Sequence, residues 1–323
     1  MTAGAEWMER RQVVLAVAAL VAGAVIGLLL PGVAPFTEAA TTPVLALLLY
    51  VTFLGVPVAR SGAAFRDGRF LAALLVLNFF VAPAVAFVGS RLVAHDDALL
   101  VGVLFVLLTP CVDYVIVFAG LAGGSRDRLV SATPILLLAQ MVLLPGYLRL
   151  FAGEEVAQAV DLRPFVEAFL ILIVLPLAAA ALTQLAASRT HWGRRVADGA
   201  VSSMVPLLML TLAVVVASQV AGVGERIARI APAIPVFIVF AAVMAAAGIL
   251  VGRMSRLDAP ARRALAFSGV TRNSLVVLPL VLALPPAFDV APLVVVTQTL
   301  VELGVMVALV RLVPRLIPER GPE

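Results

Sequence analysis

The sequence predicts an all-α polytopic membrane protein with ten transmembrane helices, arranged as two inverted five-helix repeats with broken, crossing helices four and nine. Hydrophobic residues make up 63% of the chain and charged residues only 13%, with a mean hydropathy of +1.13. Soluble domains do not reach these values. Every backbone polar group in hydrocarbon must be satisfied internally, and period-2 alternation is absent, so the apolar segments are predicted to be helices.

A helix that spans a bilayer needs roughly 20 apolar residues. Ten segments meet this requirement, at about residues 12–30, 43–59, 70–93, 98–122, 129–151, 164–187, 200–220, 231–251, 262–284 and 291–312. Five precede the polar connection 153–163 and five follow it. Because the number of spans per half is odd, the second half enters the membrane from the opposite side, which predicts an inverted-topology repeat.

All 23 basic residues are arginine, and they are distributed unevenly between the predicted loops. With the N-terminus inside, inside segments hold 17 arginines and outside segments 5, while Arg272 lies within a span. The positive-inside rule therefore predicts a protein of the cell (inner) membrane with both termini cytoplasmic. The high pI follows from this arginine bias, and no nucleic-acid partner is expected.

Polar clusters interrupt the fourth and ninth segments at matching positions of the two halves, which is a sequence signature of a transporter binding site. The clusters are Thr109-Pro110-Cys111-Val112-Asp113-Tyr114 and Gly269-Val270-Thr271-Arg272-Asn273-Ser274. Pro110 removes a backbone donor, and Gly269 is expected to permit unwinding. Each break would leave a half-helix whose N-terminus points into the membrane and suits an anion or a polar neutral solute.

Three residues in and near these breaks carry the strongest chemical signals. Cys111, the only cysteine of the chain, is either an inert small hydrophobe or a thiol ligand for a soft solute. Asp113 and Arg272 are costly in lipid, and they form either a structural ion pair or a pair that also shapes the cavity.

Glu302 lies near the middle of the last span and is predicted to carry a proton, with hydrogen bonding to backbone or to a neighbouring helix as the alternative. Gln298, one turn earlier, would share its face. Asn273 and Ser274 are candidate substrate ligands, and Thr109, Tyr114 and Gln298 are secondary candidates. Asn78 and Gln140 are explained by hydrogen bonds between helices.

No nucleotide-binding motif or metal-ligand cluster is present, so neither an enzyme nor a cofactor is expected. The chain is therefore predicted to be a secondary transporter or a channel that interacts with the lipid bilayer and a small-molecule substrate. The sequence leaves the oligomeric state open.

The Pro110-Cys111 break, the Arg272-Asn273-Ser274 break and Glu302 resemble the arsenical-resistance permeases of the bile acid/sodium symporter superfamily, over about residues 12–315. In that branch a cysteine of span four and a glutamate of span ten are needed for arsenite extrusion, and Cys111 and Glu302 match them. The span-nine pattern of the branch has asparagine where this chain has Ser274 and glutamate where it has Val276. Asp113 is also unusual there. These differences indicate a divergent subgroup.

The resemblance also implies how transport is coupled. The sodium-coupled bile-acid branch has glutamate at the position of Ser268 and glutamine at that of Arg272. We infer that Arg272 takes the electrostatic role of the sodium ion, and that proton coupling through Glu302 replaces sodium coupling. By analogy, spans at about 70–151 and 231–312 form a core domain, and those at about 12–59 and 164–220 form a panel domain.

These features predict export of arsenite, with antimonite as a second candidate cargo, in exchange for protons. Arsenite would be the metalloid substrate at Cys111, with no resident metal. The alternative is a transporter of a small organic anion held by Arg272 and not coupled to sodium. A third hypothesis, from another class, is a passive channel or a sensor that does not transport.

Overall fold

The computed structural model describes residues 11–55, 67–112, 114–153 and 170–318. These ranges are almost entirely helical and contain no strand, which confirms the all-α membrane class. The α-helices, in chain order, are α1 Gln12–Leu29, α2 Ala34–Gly55, α3 Gly68–Val76, α4 Ala82–Ser90, α5 Asp97–Leu107, α6 Tyr114–Leu121, α7 Arg126–Ala152, α8 Leu175–Arg189, α9 His191–Ser202, α10 Met204–Ile230, α11 Ala233–Met254, α12 Ala259–Val270, α13 Ser274–Leu282 and α14 Ala291–Leu316.

The chain divides into two compact units. The first comprises Met1–Val58 and Asp161–Ile227, and the second comprises Ala59–Val160 and Ala228–Glu323. The interpretation of one part of the chain as a core and another as a moving panel stays a prediction.

Small residues bring helices α1 and α10 of the first unit together. A Cβ added at Gly23 would lie 2.4 Å from the Ala213 carbonyl oxygen, and one at Gly27 would lie 2.5 Å from that of Ala217. Membrane helices without a hydrophobic driving force between them depend on such close backbone approach. Helix α2 is tied to α8 by a hydrogen bond between the hydroxyls of Tyr50 and Thr183 (3.0 Å).

A π-turn, Leu77–Val81, joins α3 to α4 in the second unit. It precedes Pro83, which has no N–H to donate to the carbonyl of Phe79, four residues earlier. The hydroxyl of Tyr147 on α7 donates to that carbonyl instead. The turn contains the buried Asn78, and π-turns inside α-helices are frequent at functional sites.

The fourth and ninth predicted segments are each broken into two helices, α5 with α6 and α12 with α13. The side chains of Asp96 and Asp258 cap the N-termini of α5 and α12 by accepting backbone N–H groups. The expectation that Gly269 unwinds is wrong, because Gly269 remains in α12. A Cβ there would lie 3.2 Å from the Met244 carbonyl oxygen, so this glycine serves close packing against α11.

Five described helical segments are long and apolar enough to cross a membrane, and the bent pair α9 and α10 adds a sixth. The five are Ala34–Gly55, Gly68–Val93, Arg126–Ala152, Ala233–Met254 and Pro286–Leu316. The halves of the two broken segments are individually too short to count. The start of the predicted span 164–187 lies outside the described residues. The ten-span arrangement therefore stays a prediction.

Candidate substrate and ion-coupling site

The two breaks meet in the second unit and pair through their backbones. The N–H of Cys111 donates to the carbonyl of Thr271 (3.2 Å), and the N–H of Asn273 donates to that of Thr109 (2.8 Å). These two bonds enclose an isolated antiparallel bridge between Pro110 and Arg272. The extended segments thus satisfy each other's backbone groups, as the hydrocarbon core of a membrane requires.

The bridged residues have a spacing along the chain that recurs at other positions of the two breaks. Pro110 and Arg272 are 162 residues apart (272 minus 110), and so are Thr109 and Thr271. Each threonine hydroxyl donates to the carbonyl of a phenylalanine four residues earlier, Phe105 at 3.0 Å and Phe267 at 2.8 Å. The capping aspartates of α5 and α12 have the same 162-residue spacing.

The guanidinium of Arg272 lies against the C-terminal ends of both half-helices. It donates to the carbonyl of Leu107 at the end of α5 (3.3 Å) and to the carbonyls of Ser268 (3.2 Å) and Gly269 near the end of α12. The residue is 0% exposed. Helix C-termini carry partial negative charge, and in transporters with broken helices they coordinate sodium. Here a fixed cation occupies that position.

Two further side chains hold this guanidinium, and sequence reasoning missed their role. Asn78 Oδ1 accepts from Arg272 (3.1 Å), while its Nδ2 donates to the hydroxyl of Ser268 (3.0 Å). The ring of Phe240 lies on another side of the guanidinium, 5.2 Å from ring centroid to Cζ, at a distance typical of cation–π contacts. The signal in the sequence is an isolated intramembrane asparagine, and the hydrogen bond between helices that is predicted for it is the one to Ser268.

Glu302 on α14 also contacts the second break. Its Oε2 accepts the backbone N–H of Arg272 (2.8 Å) and also the side-chain amide of Gln298. Glu302 is 3% exposed. A cavity of about 10 Å³ borders Gln298 and Glu302, close to the smallest space that holds one water molecule.

Several buried polar atoms at the site have no hydrogen-bond partner among the described residues. They are Asn273 Nδ2, Ser274 Oγ and Gln298 Oε1. The other amide atom of Asn273, Oδ1, accepts the N–H of Val276 (3.4 Å) and caps α13. Unpaired buried polar atoms are costly, and they are common where a ligand binds.

The structure places most of the predicted site residues at this crossing, and their roles stay predictions. The predicted site residues that belong to the paired breaks or contact them are Thr109, Cys111, Arg272, Asn273, Ser274, Gln298 and Glu302. Asp113 and the side chain of Tyr114 lie outside the described residues. Within the described ranges, no group of three or more His, Cys, Asp or Glu residues could hold a metal ion.

A model of the sodium bile acid symporter family matches residues 42–229, which is more than half of the chain. The match includes the first break and ends before the second. No individual curated protein matches the chain significantly. Family members are membrane transporters and not enzymes, which indicates a small-molecule substrate and a multi-pass membrane protein. The chain belongs to the sodium bile acid symporter family.

Proposed function

We propose that this protein is a secondary active transporter that exports arsenite in exchange for protons, with antimonite as a second cargo. Cys111 is the thiol ligand and Glu302 the proton carrier. The chain would span the cell membrane ten times, as two inverted five-helix repeats with both termini cytoplasmic. The arsenical-resistance branch within the family is part of this proposal.

The 162-residue spacing supports the inverted repeat. Leu107 and Gly269, whose carbonyls both accept from Arg272, have this spacing, and so do Asn78 and Phe240, which both contact the guanidinium. An antiparallel bridge between equivalent positions is the pattern that a two-fold axis in the membrane plane would produce. Arg272 would then lie close to that axis.

The position of the Arg272 guanidinium is the observation that favours proton coupling over sodium coupling. Its donors occupy the carbonyls of both half-helix ends. A sodium ion would need the same oxygens and would be repelled by the fixed charge. Among the described site residues, Glu302 is the carboxyl group in direct contact with the break, so it is the group that can exchange a proton there.

Protonation of Glu302 would change the crossing. The charged carboxylate accepts two hydrogen bonds at Oε2, from the Arg272 N–H and from Gln298. A neutral carboxyl group is a weaker acceptor, so protonation would loosen the hold of α14 on the second break. The neighbouring cavity would admit the water that delivers the proton.

Cys111 would give selectivity for trivalent arsenic. Arsenous acid is mostly neutral near pH 7, so it can enter an apolar cavity. Its condensation with the thiol forms one S–As bond and breaks one As–O bond, and the thiol proton leaves with the hydroxyl as water. Hydrolysis reverses the step and releases the substrate. A single thiol makes a weak site, which transport requires.

Cys111 is only 1% exposed, so arsenite would reach it after the crossing opens. Movement between the predicted core domain, at about 70–151 and 231–312, and the panel domain, at about 12–59 and 164–220, would provide alternating access.

Transport of a small organic anion is the second candidate. Unpartnered donors at Asn273 Nδ2 and Ser274 Oγ, next to the N-terminus of α13, would suit a carboxylate. Arg272 is a poorer clamp than the sequence indicates, because a substrate would have to displace the protein oxygens that it already binds.

Uptake of arsenite into everted, sodium-free vesicles, with and without an imposed proton gradient, tests the proposal. We expect accumulation against the arsenite gradient only when the proton gradient is present, and its loss in Cys111→Ser. Accumulation of organic acids instead of arsenite would favour the second candidate. Equilibration without accumulation would favour a passive channel.

A further inference from the structure

A groove of about 590 Å³ lies in the second unit between α3 and the C-terminal end of α11, away from the crossing of the broken helices. One end is polar and is formed by Arg69, Ser255 and Arg256. The walls are apolar and include Ala72, Val76, Val251 and Met254. We refer to it as the Arg69–Arg256 groove. The groove therefore combines a basic end with apolar walls.

Within the described residues, no ion pair neutralises the basic end of the groove. Arg69 donates to the carbonyl of Ser255 (2.6 Å), which fixes its guanidinium at the mouth of the groove. The aspartates nearest to these arginines in the sequence, Asp67 and Asp258, both bind Arg128, at 2.8 and 2.6 Å.

No carboxylate among the described residues forms an ion pair with either groove arginine. Two positive charges therefore face the groove, and an anion would complement them.

The backbone of Arg256 is a second, independent observation. Its φ is +51°, the only positive φ of a non-glycine residue among the described residues. Helices commonly end in this left-handed conformation, but glycine usually occupies it because a side chain there is strained. The arginine at this position is exposed and lines the groove.

We propose that this groove binds an anionic phospholipid. The phosphate would lie between Arg69 and Arg256, and an acyl chain would follow the apolar walls. A lipid fits better than a soluble anion because the walls are apolar and open, with Val76 44% and Met254 75% exposed in a protein whose exposed apolar surface faces hydrocarbon. Basic pockets between membrane helices bind acidic headgroups in this manner.

Native mass spectrometry of the purified full chain, with equal amounts of phosphatidylglycerol and phosphatidylcholine, tests the proposal. We expect preferential retention of phosphatidylglycerol. Each of Arg256→Asn and Arg69→Gln should reduce this preference about fivefold, the effect of one arginine near an anionic lipid. Asparagine tolerates the left-handed backbone, so the first variant should fold normally.

Two further variants separate the contribution of the lipid headgroup to retention from that of the acyl chain. Ala72→Phe, which fills the apolar part, should reduce retention of both lipids. Arg253→Gln removes an exposed arginine at the same end of α11 but outside the groove, and it should leave the preference unchanged. Equal retention of the two lipids by the wild type, or an unchanged preference in both groove-arginine variants, would overturn the proposal. Full displacement of the lipid by inorganic phosphate would also overturn it, since the site would then bind a soluble anion.

Discussion

The backbone N–H of Arg272 donates to Oε2 of Glu302 across 2.8 Å, while the guanidinium of the same residue binds the ends of two half-helices. One residue therefore links the candidate proton carrier to both breaks. A change in the charge of Glu302 would alter its hydrogen bond to the Arg272 backbone, and this backbone segment pairs with the Cys111 segment. This linkage gives a physical route by which proton binding and substrate binding could influence each other.

Glu302→Gln should abolish proton-driven uptake while leaving the protein folded. Glutamine keeps an oxygen that can accept the Arg272 N–H, so the free energy of unfolding should fall by only about 1 kcal/mol. Exchange of arsenite across vesicles without a proton gradient should persist, because exchange needs no change of protonation. Gln298→Leu is the matched control, since it removes the other partner of Oε2 and leaves the carboxyl group. Full proton-driven uptake by Glu302→Gln would exclude Glu302 as the carrier.

Arg272→Gln should make the protein respond to sodium. It removes the fixed cation and leaves the carbonyls of Leu107, Ser268 and Gly269 without their donor, at a cost of about 1–3 kcal/mol for each unsatisfied carbonyl. Sodium chloride, but not choline chloride, should recover part of the loss, seen as a melting temperature about 2–4 °C higher for each kcal/mol regained.

Arg263→Gln is the control for the sodium response. Arg263 is also buried and also donates to a helix-end carbonyl, that of Ile317 (3.0 Å), but it lies away from the crossing. It should lower stability without any recovery in sodium. An identical response of both variants to the two salts would refute the idea that Arg272 replaces a sodium ion.

Gly102→Ala should destabilise the contact between α5 and α14, the helix that carries Glu302. The new Cβ would lie 2.9 Å from Val294 Cβ and 3.0 Å from the Ala291 carbonyl oxygen, and such overpacking costs about 1–3 kcal/mol. Gly304→Ala on α14 meets nothing within 4 Å and should be neutral or stabilising by up to about 1 kcal/mol. Thermal unfolding in detergent compares the two, and equal melting temperatures would contradict the packing described for α5.

Stability should fall at acid pH partly through Asp96. Its hydrogen bond with Arg229 lowers the pKa of this carboxyl group, with N–H groups of α5 adding to the effect. A lowered pKa in the folded state means that the pair stabilises the protein above the ordinary aspartate pKa of about 3.9, and that this contribution is lost as pH falls through the lowered value.

Asp96→Asn isolates this contribution. Asparagine still caps α5 but cannot form the ion pair. The wild type should be more stable than the variant at pH 6, and the difference in melting temperature should shrink toward pH 3. A difference that stays constant over this range would contradict the assignment.

The membrane class, the positions of the two breaks and the proximity of Gln298 to Glu302 could be predicted from apolar run lengths and from polar residues that lipid tolerates poorly. The contacts of Arg272 could not be predicted, because they join its side chain to backbone carbonyls of other segments. Every residue has a backbone carbonyl, so the sequence does not indicate which ones accept a hydrogen bond. Gly269 differs from the expectation for a related reason. A glycine permits both unwinding and close packing, and only the neighbouring Met244 carbonyl decides between them.

Proton movement driven by arsenite in sodium-free proteoliposomes is the most direct test of the central claim. Vesicles loaded with arsenite and diluted into arsenite-free buffer should take up protons as arsenite leaves, so a pH-sensitive dye in the lumen should report acidification. Glu302→Gln, Cys111→Ser and protein-free vesicles should show none. Arsenite efflux from wild-type vesicles with no change of lumenal pH would contradict proton antiport.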